Sequence, residues 1–158
     1  MPQLSTGRVA VGVLGTALVA MYAVGSGLLV ATDTQWYRSL LKPAWQPPGF
    51  VPALIWPYNF ALLITATWIV ATRLSGTQQL VWLISLALSV ASALSWAWLF
   101  FSTHALPASG VALVLATLFS VPLLVIAFRL SFPLGAAFVP YLLWLALATS
   151  LAFGYASQ

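Results

Sequence analysis

Residues 80–101, LVWLISLALSVASALSWAWLFF, form an unbroken stretch with no charged side chain. A helix needs about 20 mostly apolar residues to cross the hydrocarbon core of a bilayer. This run meets that length, and four others flank it, at 9–32, 50–72, 108–128 and 134–156. Every charge in the chain falls outside the five runs: Arg8, Asp33, Arg38, Lys42, Arg73 and Arg129. A bilayer enforces that segregation, because a charge at its centre costs at least about 2.5 kcal/mol. The sequence therefore predicts an all-α integral membrane bundle of five transmembrane helices, occupying 1–158 as one domain. The first run follows Arg8 but is longer than the 7–15 residues of a signal-peptide core, so it is expected to remain as a span.

The composition agrees and narrows the chemistry. Of 158 residues, 63% are hydrophobic and 4% charged, against about 25% charged in a soluble domain. A water-soluble monomer is excluded. No Cys is present, and there is one His, His104, and one carboxylate side chain, Asp33. Thiolate chemistry, multi-histidine metal centres and paired-carboxylate hydrolysis are absent with them. No metal site or nucleic-acid partner is expected. The surplus is aromatic, with 8 Trp, 5 Tyr and 9 Phe.

Three of the connections are short, which predicts that sequential spans are antiparallel neighbours. Arg8, Arg73 and Arg129 then share one membrane face, and Arg38 and Lys42 the other. By the positive-inside rule, this slightly favours a cytoplasmic N-terminus. The exception is 33–49, a loop long enough to suggest a functional lid. It contains Pro43, Pro47 and Pro48, which fix φ and bias their neighbours toward extended backbone. Asp33 is suited to cap or hydrogen-bond within it. His104, in the link between the third and fourth spans, reads as a solvated surface residue.

Several residues recur at helical spacing. Tyr141, Trp144 and Ala148 stand at i, i+3 and i+7, as do Ala93, Trp96 and Phe100; Trp56, Phe60 and Leu63 stand at i, i+4 and i+7. Such stripes usually mean core packing. They also suit a cavity for a large, flat, apolar ligand held by ring contacts. Asn59 reads as a polar contact of that region or as an interhelical hydrogen bond. Small residues repeat every fourth position, at Ser85, Ser89 and Ala93 and at Ala112, Ala116 and Ser120. Such rows let helices approach closely, within one bundle or between two copies.

The loop pattern W-Y-x4-K-P-x-W-x-P-P, from Trp36 to Pro48, is followed by Trp56. With W-x3-F-F at Trp96, Phe100 and Phe101, and P-Y-x2-W-x3-A at Pro140, Tyr141, Trp144 and Ala148, it resembles the TspO/translocator protein family of tryptophan-rich sensory proteins. The resemblance covers nearly the whole chain. It implies a TspO-like five-helix bundle in which Trp36, Tyr37, Trp45, Trp56, Phe60, Ala93, Trp96, Phe100, Tyr141, Trp144 and Ala148 contribute to a ligand site. The implied ligand is a tetrapyrrole, protoporphyrin IX or haem, or a drug-like apolar molecule, with no obligatory cofactor.

The leading implied role is sensory or regulatory. The alternatives are light-dependent porphyrin breakdown with Trp56 and Trp144 as the catalytic pair, and passive movement of apolar molecules. Arg38 and Lys42 could pair with propionates or serve as interfacial anchors. A homodimer, with the third span as its interface, and a bacterial inner membrane are also implied. Two departures stand out. Family members usually carry Asn where this chain has Ala93, and often where it has Ala152. Tyr155 is not followed by the Lys or Arg of the vertebrate sterol pattern, so cholesterol binding is not expected.

Overall fold

The computed structural model describes residues 5–158. It contains α1 (Thr6–Val30), α2 (Thr34–Ser39), α3 (Phe50–Arg73), α4 (Thr77–Phe101), α5 (Leu106–Leu130) and α6 (Phe132–Ala156), and no strand among the described residues. The five long helices have 24 or 25 residues each, about 37 Å at 1.5 Å per residue, enough to cross the hydrocarbon core with some tilt. Each extends one to three residues beyond its apolar run at one end or both, because backbone hydrogen bonding continues past the edge of the hydrocarbon. At its C-terminal end the first helix stops at Val30 rather than Thr32. Its last turn gives way to Asp33, whose carboxylate accepts from the Trp36 backbone N–H at 2.9 Å and caps α2. The loop therefore begins as a helix, ahead of the part where its prolines bias the backbone toward extended conformation. Its prolines start only at Pro43, too late to oppose that turn.

Packing order departs from chain order. The most extensive contacts are α4 with α5 and α5 with α6, then α1 with α4 and α1 with α3. As expected from their short links, α4–α5 and α5–α6 are neighbours. However, α3 and α4, joined through Gly76, barely touch, because α1 lies between them. Gly76 adopts φ +55°, a left-handed turn open to residues without a Cβ.

The small-residue rows account for the closest contact. Ser85, Ser89 and Ala93 of α4 and Ala112, Ala116 and Ser120 of α5 are all buried. Ser89 Oγ donates to the Ala116 carbonyl at 3.1 Å and lies 2.8 Å from Ser120 Oγ. These rows bring two helices of one protomer together, so they are not available as the interface between copies.

At the end carrying the N-termini of α1, α4 and α6, the bundle is sealed. Trp82 Nε1 donates to Thr67 Oγ1 at 3.0 Å, and the Trp82 ring meets Phe138 edge-on at 5.8 Å. Gly15 of α1 packs so tightly on Thr67 that a Cβ there would collide with the threonine methyl. Gly12 is pressed against the Trp68 ring, whose Nε1 donates to Thr16 Oγ1 at 3.1 Å.

Asn59, deep in α3, is fully buried, and neither its amide nitrogen nor its carbonyl oxygen has a hydrogen-bond partner among the described residues. A buried unpaired amide costs about 1–3 kcal/mol, and an apolar replacement of similar shape can be stabilising. Asn59→Leu is therefore expected to raise the unfolding temperature in detergent by a few degrees. A drop of similar size would show that the carboxamide contributes to stability.

Candidate functional site: an aromatic cavity under the first loop

At the opposite end a cavity of about 320 Å³ opens between α3, α4 and α6 beneath the 33–49 loop. The size lies at the lower end of small-molecule pockets. Trp56 and Pro52 come from α3, and Trp96, Phe100 and Phe101 from α4. Trp144, Ala148, Leu151, Ala152 and Tyr155 come from α6, and Tyr37, Gln46, Pro47 and Gly49 from the loop.

Trp56 and Trp144 meet edge to face, with centroids 6.2 Å apart at 88°. Trp56 is backed by Phe60, stacked at 5.6 Å, and by Tyr22 of α1, edge-on at 5.6 Å. The Trp56 ring is thus fixed by packing before any ligand arrives. Trp144 is 9% exposed, and its Nε1–H has no partner within the described residues.

The loop is fastened over this cavity at two places. Trp45 Nε1 donates to Ser150 Oγ at 3.1 Å, while its ring and Pro43 lie against Gly154, where a Cβ would stand only 2.8 Å from the indole. The Gln46 amide donates to the Tyr37 hydroxyl at 3.1 Å. The Tyr155 hydroxyl bonds to the Gln46 carbonyl oxygen and lies 3.3 Å from that of Tyr37. These three side chains close a polar ring at the mouth of an otherwise apolar chamber. No charged residue lines it; Arg38 and Lys42 lie in α2 and the loop without contributing to the wall.

Of the residues expected at a ligand site, Tyr37, Trp56, Trp96, Phe100, Trp144 and Ala148 are brought together in this wall. Phe60 stands behind Trp56 and lines a smaller recess with Ala23, Ser26, Gly27 and Val30 of α1. Trp36 turns away from the cavity to stack on His104. Trp45 clamps the loop from outside and is 54% exposed. Ala93 and Tyr141 are fully buried in the core, and Tyr141 lies 3.5 Å from Ser120 Oγ.

The reason is depth. Ala93 lies seven residues below Phe100, and Tyr141 seven below Ala148, about 10 Å along each axis. A shared helical face sets direction and not depth. The stripe that contains Trp144 and Ala148 continues instead toward the loop, to Leu151, Ala152 and Tyr155. Continuing the i, i+3, i+7 spacing from Ala148 reaches Leu151 and Tyr155, and Ala152 stands at i+4. Gln46, Pro47 and Gly49 carried no such periodic signal.

The cavity holds no general acid–base pair and no cluster of metal-ligating side chains among the described residues. Its chemistry is ring stacking, burial of apolar surface, and hydrogen bonding from an indole N–H and the mouth hydroxyls. In addition, two oxidisable indoles lie in contact.

Comparison with known proteins gives a consistent result. A family model described as TspO/MBR family matches residues 13–157. The chain is 31% identical over 147 residues to an uncharacterized membrane protein, YtaB, of Bacillus subtilis, covering 93% of this chain and 92% of the relative. It is 32% identical over 138 residues to the translocator protein of Bos taurus, covering 85% and 78%. It is 33% identical over 128 residues to the tryptophan-rich sensory protein of Cereibacter sphaeroides, covering 81% and 78%.

Proposed function

The chain belongs to the TspO/MBR family, and from this membership and the aromatic cavity we propose that it is a tetrapyrrole-binding sensory or regulatory membrane protein. The observation that supports this most directly is the Trp56–Trp144 pair, held edge to face in the wall of an apolar chamber beneath a fastened loop. A planar macrocycle would stack on one indole and meet the edge of the other. The chamber is small, so a tetrapyrrole enters with the loop lifted, leaving its polar periphery at the mouth near Tyr37, Gln46 and Tyr155. Alanine at 152, in place of the family's Asn, leaves the wall apolar there and shifts hydrogen bonding to that mouth.

A second reading, light-dependent porphyrin breakdown, is favoured by the contact between two indoles, either of which could donate an electron to a photo-oxidised complex. Passive movement of apolar molecules is compatible with spans that carry no charged residue. The proposed location is a bacterial inner membrane. The proposed assembly is a homodimer through the lipid-facing side of α4, where Ile84, Leu88 and Trp98 are exposed.

The test is a titration of purified protein with protoporphyrin IX in the dark, read by tryptophan quenching, followed by illumination. Saturable quenching is expected. Its absence would overturn the binding proposal. Loss of the porphyrin bands in light beyond that seen with Trp56→Phe/Trp144→Phe would establish the photochemical reading, and equal loss would leave a binding protein.

A further inference from the structure

The only carboxylate side chain and the only histidine in the sequence meet at the base of the loop. His104 Nε2 lies 3.5 Å from Asp33 Oδ2, and the imidazole stacks on the Trp36 indole with centroids 3.8 Å apart and planes inclined by 17°. Asp33 uses its other oxygen to cap α2. We propose that Asp33, Trp36 and His104 form a pH-sensitive clasp that holds the loop over the cavity more firmly when the imidazole is protonated.

The parts of the clasp are anchored unequally. His104 sits in a tight link in which the backbone N–H groups of Ser102 and Thr103 both donate to the Trp98 carbonyl, and that of Ala105 to the Leu99 carbonyl. This turn imposes φ +58° on His104, a left-handed conformation that residues with a Cβ avoid. The imidazole is therefore presented by a rigid support built on the end of α4. Trp36 and Asp33 belong instead to the loop side, where Trp36 also meets Phe100 of α4 edge-on at 5.6 Å. The same short helix carries Tyr37, whose hydroxyl joins the ring at the cavity mouth. Release of α2 from His104 would loosen that ring as well.

The sign follows from the surrounding charges. Histidine is the side chain whose charge ordinarily changes between pH 5 and 8. When protonated, it gains an ion pair with Asp33 and a cation–π contact with Trp36. Arg38 of α2 and Lys42 of the loop are the other charges near this end, and neither forms an ion pair with Asp33 among the described residues. The adjoining ends of α4 and α5 carry no charge. The two cations oppose an imidazolium and reduce the gain, whereas nothing on α4 or α5 does. Both partners are over a third exposed, at 38% and 40%, so water and salt weaken the pair. The expected effect is roughly three- to tenfold in the closed-to-open ratio.

Hydrogen exchange of ligand-free protein in detergent tests the clasp directly. After correction for intrinsic rates, protection of 33–46 is expected to rise roughly three- to tenfold from pH 8 to pH 5.5. In His104→Asn, which suits a left-handed backbone, that rise should vanish. In Asp33→Asn, which preserves a capping oxygen, it should shrink. An unchanged profile in wild type, or the same rise in His104→Asn, would overturn the proposal; if that variant does not fold, an undiminished rise in Asp33→Asn would do so.

The consequence for ligand exchange rests on the cavity being the binding site. Porphyrin release should slow by a similar factor at low pH in wild type and not in the variants. A pH-dependent clasp in a protein that binds no porphyrin would sink the functional reading and leave the clasp standing.

Discussion

Ala148→Trp is expected to abolish saturable porphyrin quenching, with affinity reduced at least about a hundredfold, equivalent to roughly 2.8 kcal/mol. Ala148 lies on α6 one turn from Trp144 and contributes directly to the cavity wall. An indole placed there would project into a chamber of about 320 Å³ and occupy much of it. The position is partly buried and next to open volume, so the added ring need not enter the close-packed core, and the fold should survive. Unfolding temperature and far-ultraviolet circular dichroism near those of the parent would confirm that. Ala148→Gly, which enlarges the space, should retain binding. Affinity within about threefold of the parent for Ala148→Trp would place the ligand elsewhere, whatever the family relationship suggests.

The second large effect concerns stability. Trp82→Ala is expected to cost about 3–5 kcal/mol, the range for deletion of a large buried aromatic. Trp82 is fully buried, donates to Thr67 on α3, and meets Phe138 on α6. One α4 side chain thereby ties three helices at the sealed end of the bundle, where α3 and α4 otherwise scarcely touch. Trp82→Phe should preserve most of the packing and cost less, about 1–3 kcal/mol, chiefly because Thr67 loses its indole partner and a space is left. Thermal unfolding in a single detergent should rank parent, Trp82→Phe and Trp82→Ala in that order. Because Trp82 lies at the end remote from the cavity, porphyrin affinity of the folded fraction should be unchanged. A Trp82→Ala protein as stable as the parent would remove the sealed end as the main source of stability.

Trp82 also illustrates what a linear reading misses. Trp82 belongs to none of the stripes or motifs read from the sequence, and Trp36 and Trp45 are expected at a ligand site. In three dimensions Trp82 anchors the core, Trp36 stacks on a histidine, and Trp45 clips the loop from outside. Spacing identified the correct helix faces at Trp56, Trp96, Trp144 and Ala148. It also included Ala93 and Tyr141, which lie just under one turn below the deepest wall residues, Trp96 and Trp144. Tyr155 and Gln46, the polar groups at the mouth, were not recognised as cavity residues. Tyr155 lies on α6 beyond the Tyr141–Ala148 stripe, and Gln46 sits in irregular backbone with no period to follow.

The sequence by itself determined that the chain crosses a membrane five times, because hydrocarbon excludes charge and the six charged residues fall between the apolar runs. It also carried the loop and helix motifs that mark the family. Both are local properties, set by what each segment can present to lipid or by the identity of neighbouring residues. Tertiary structure decided that α1 separates α3 from α4, that the small-residue rows close one protomer, and that the cavity is confined to one end. It also brought together His104 and Asp33, 71 positions apart in the chain. Those outcomes depend on how five helices share a limited volume. With almost every lateral surface apolar, hydropathy barely distinguishes one neighbour from another; shape, such as the close fit of Gly15 against Thr67, and a few buried hydrogen bonds make the choice.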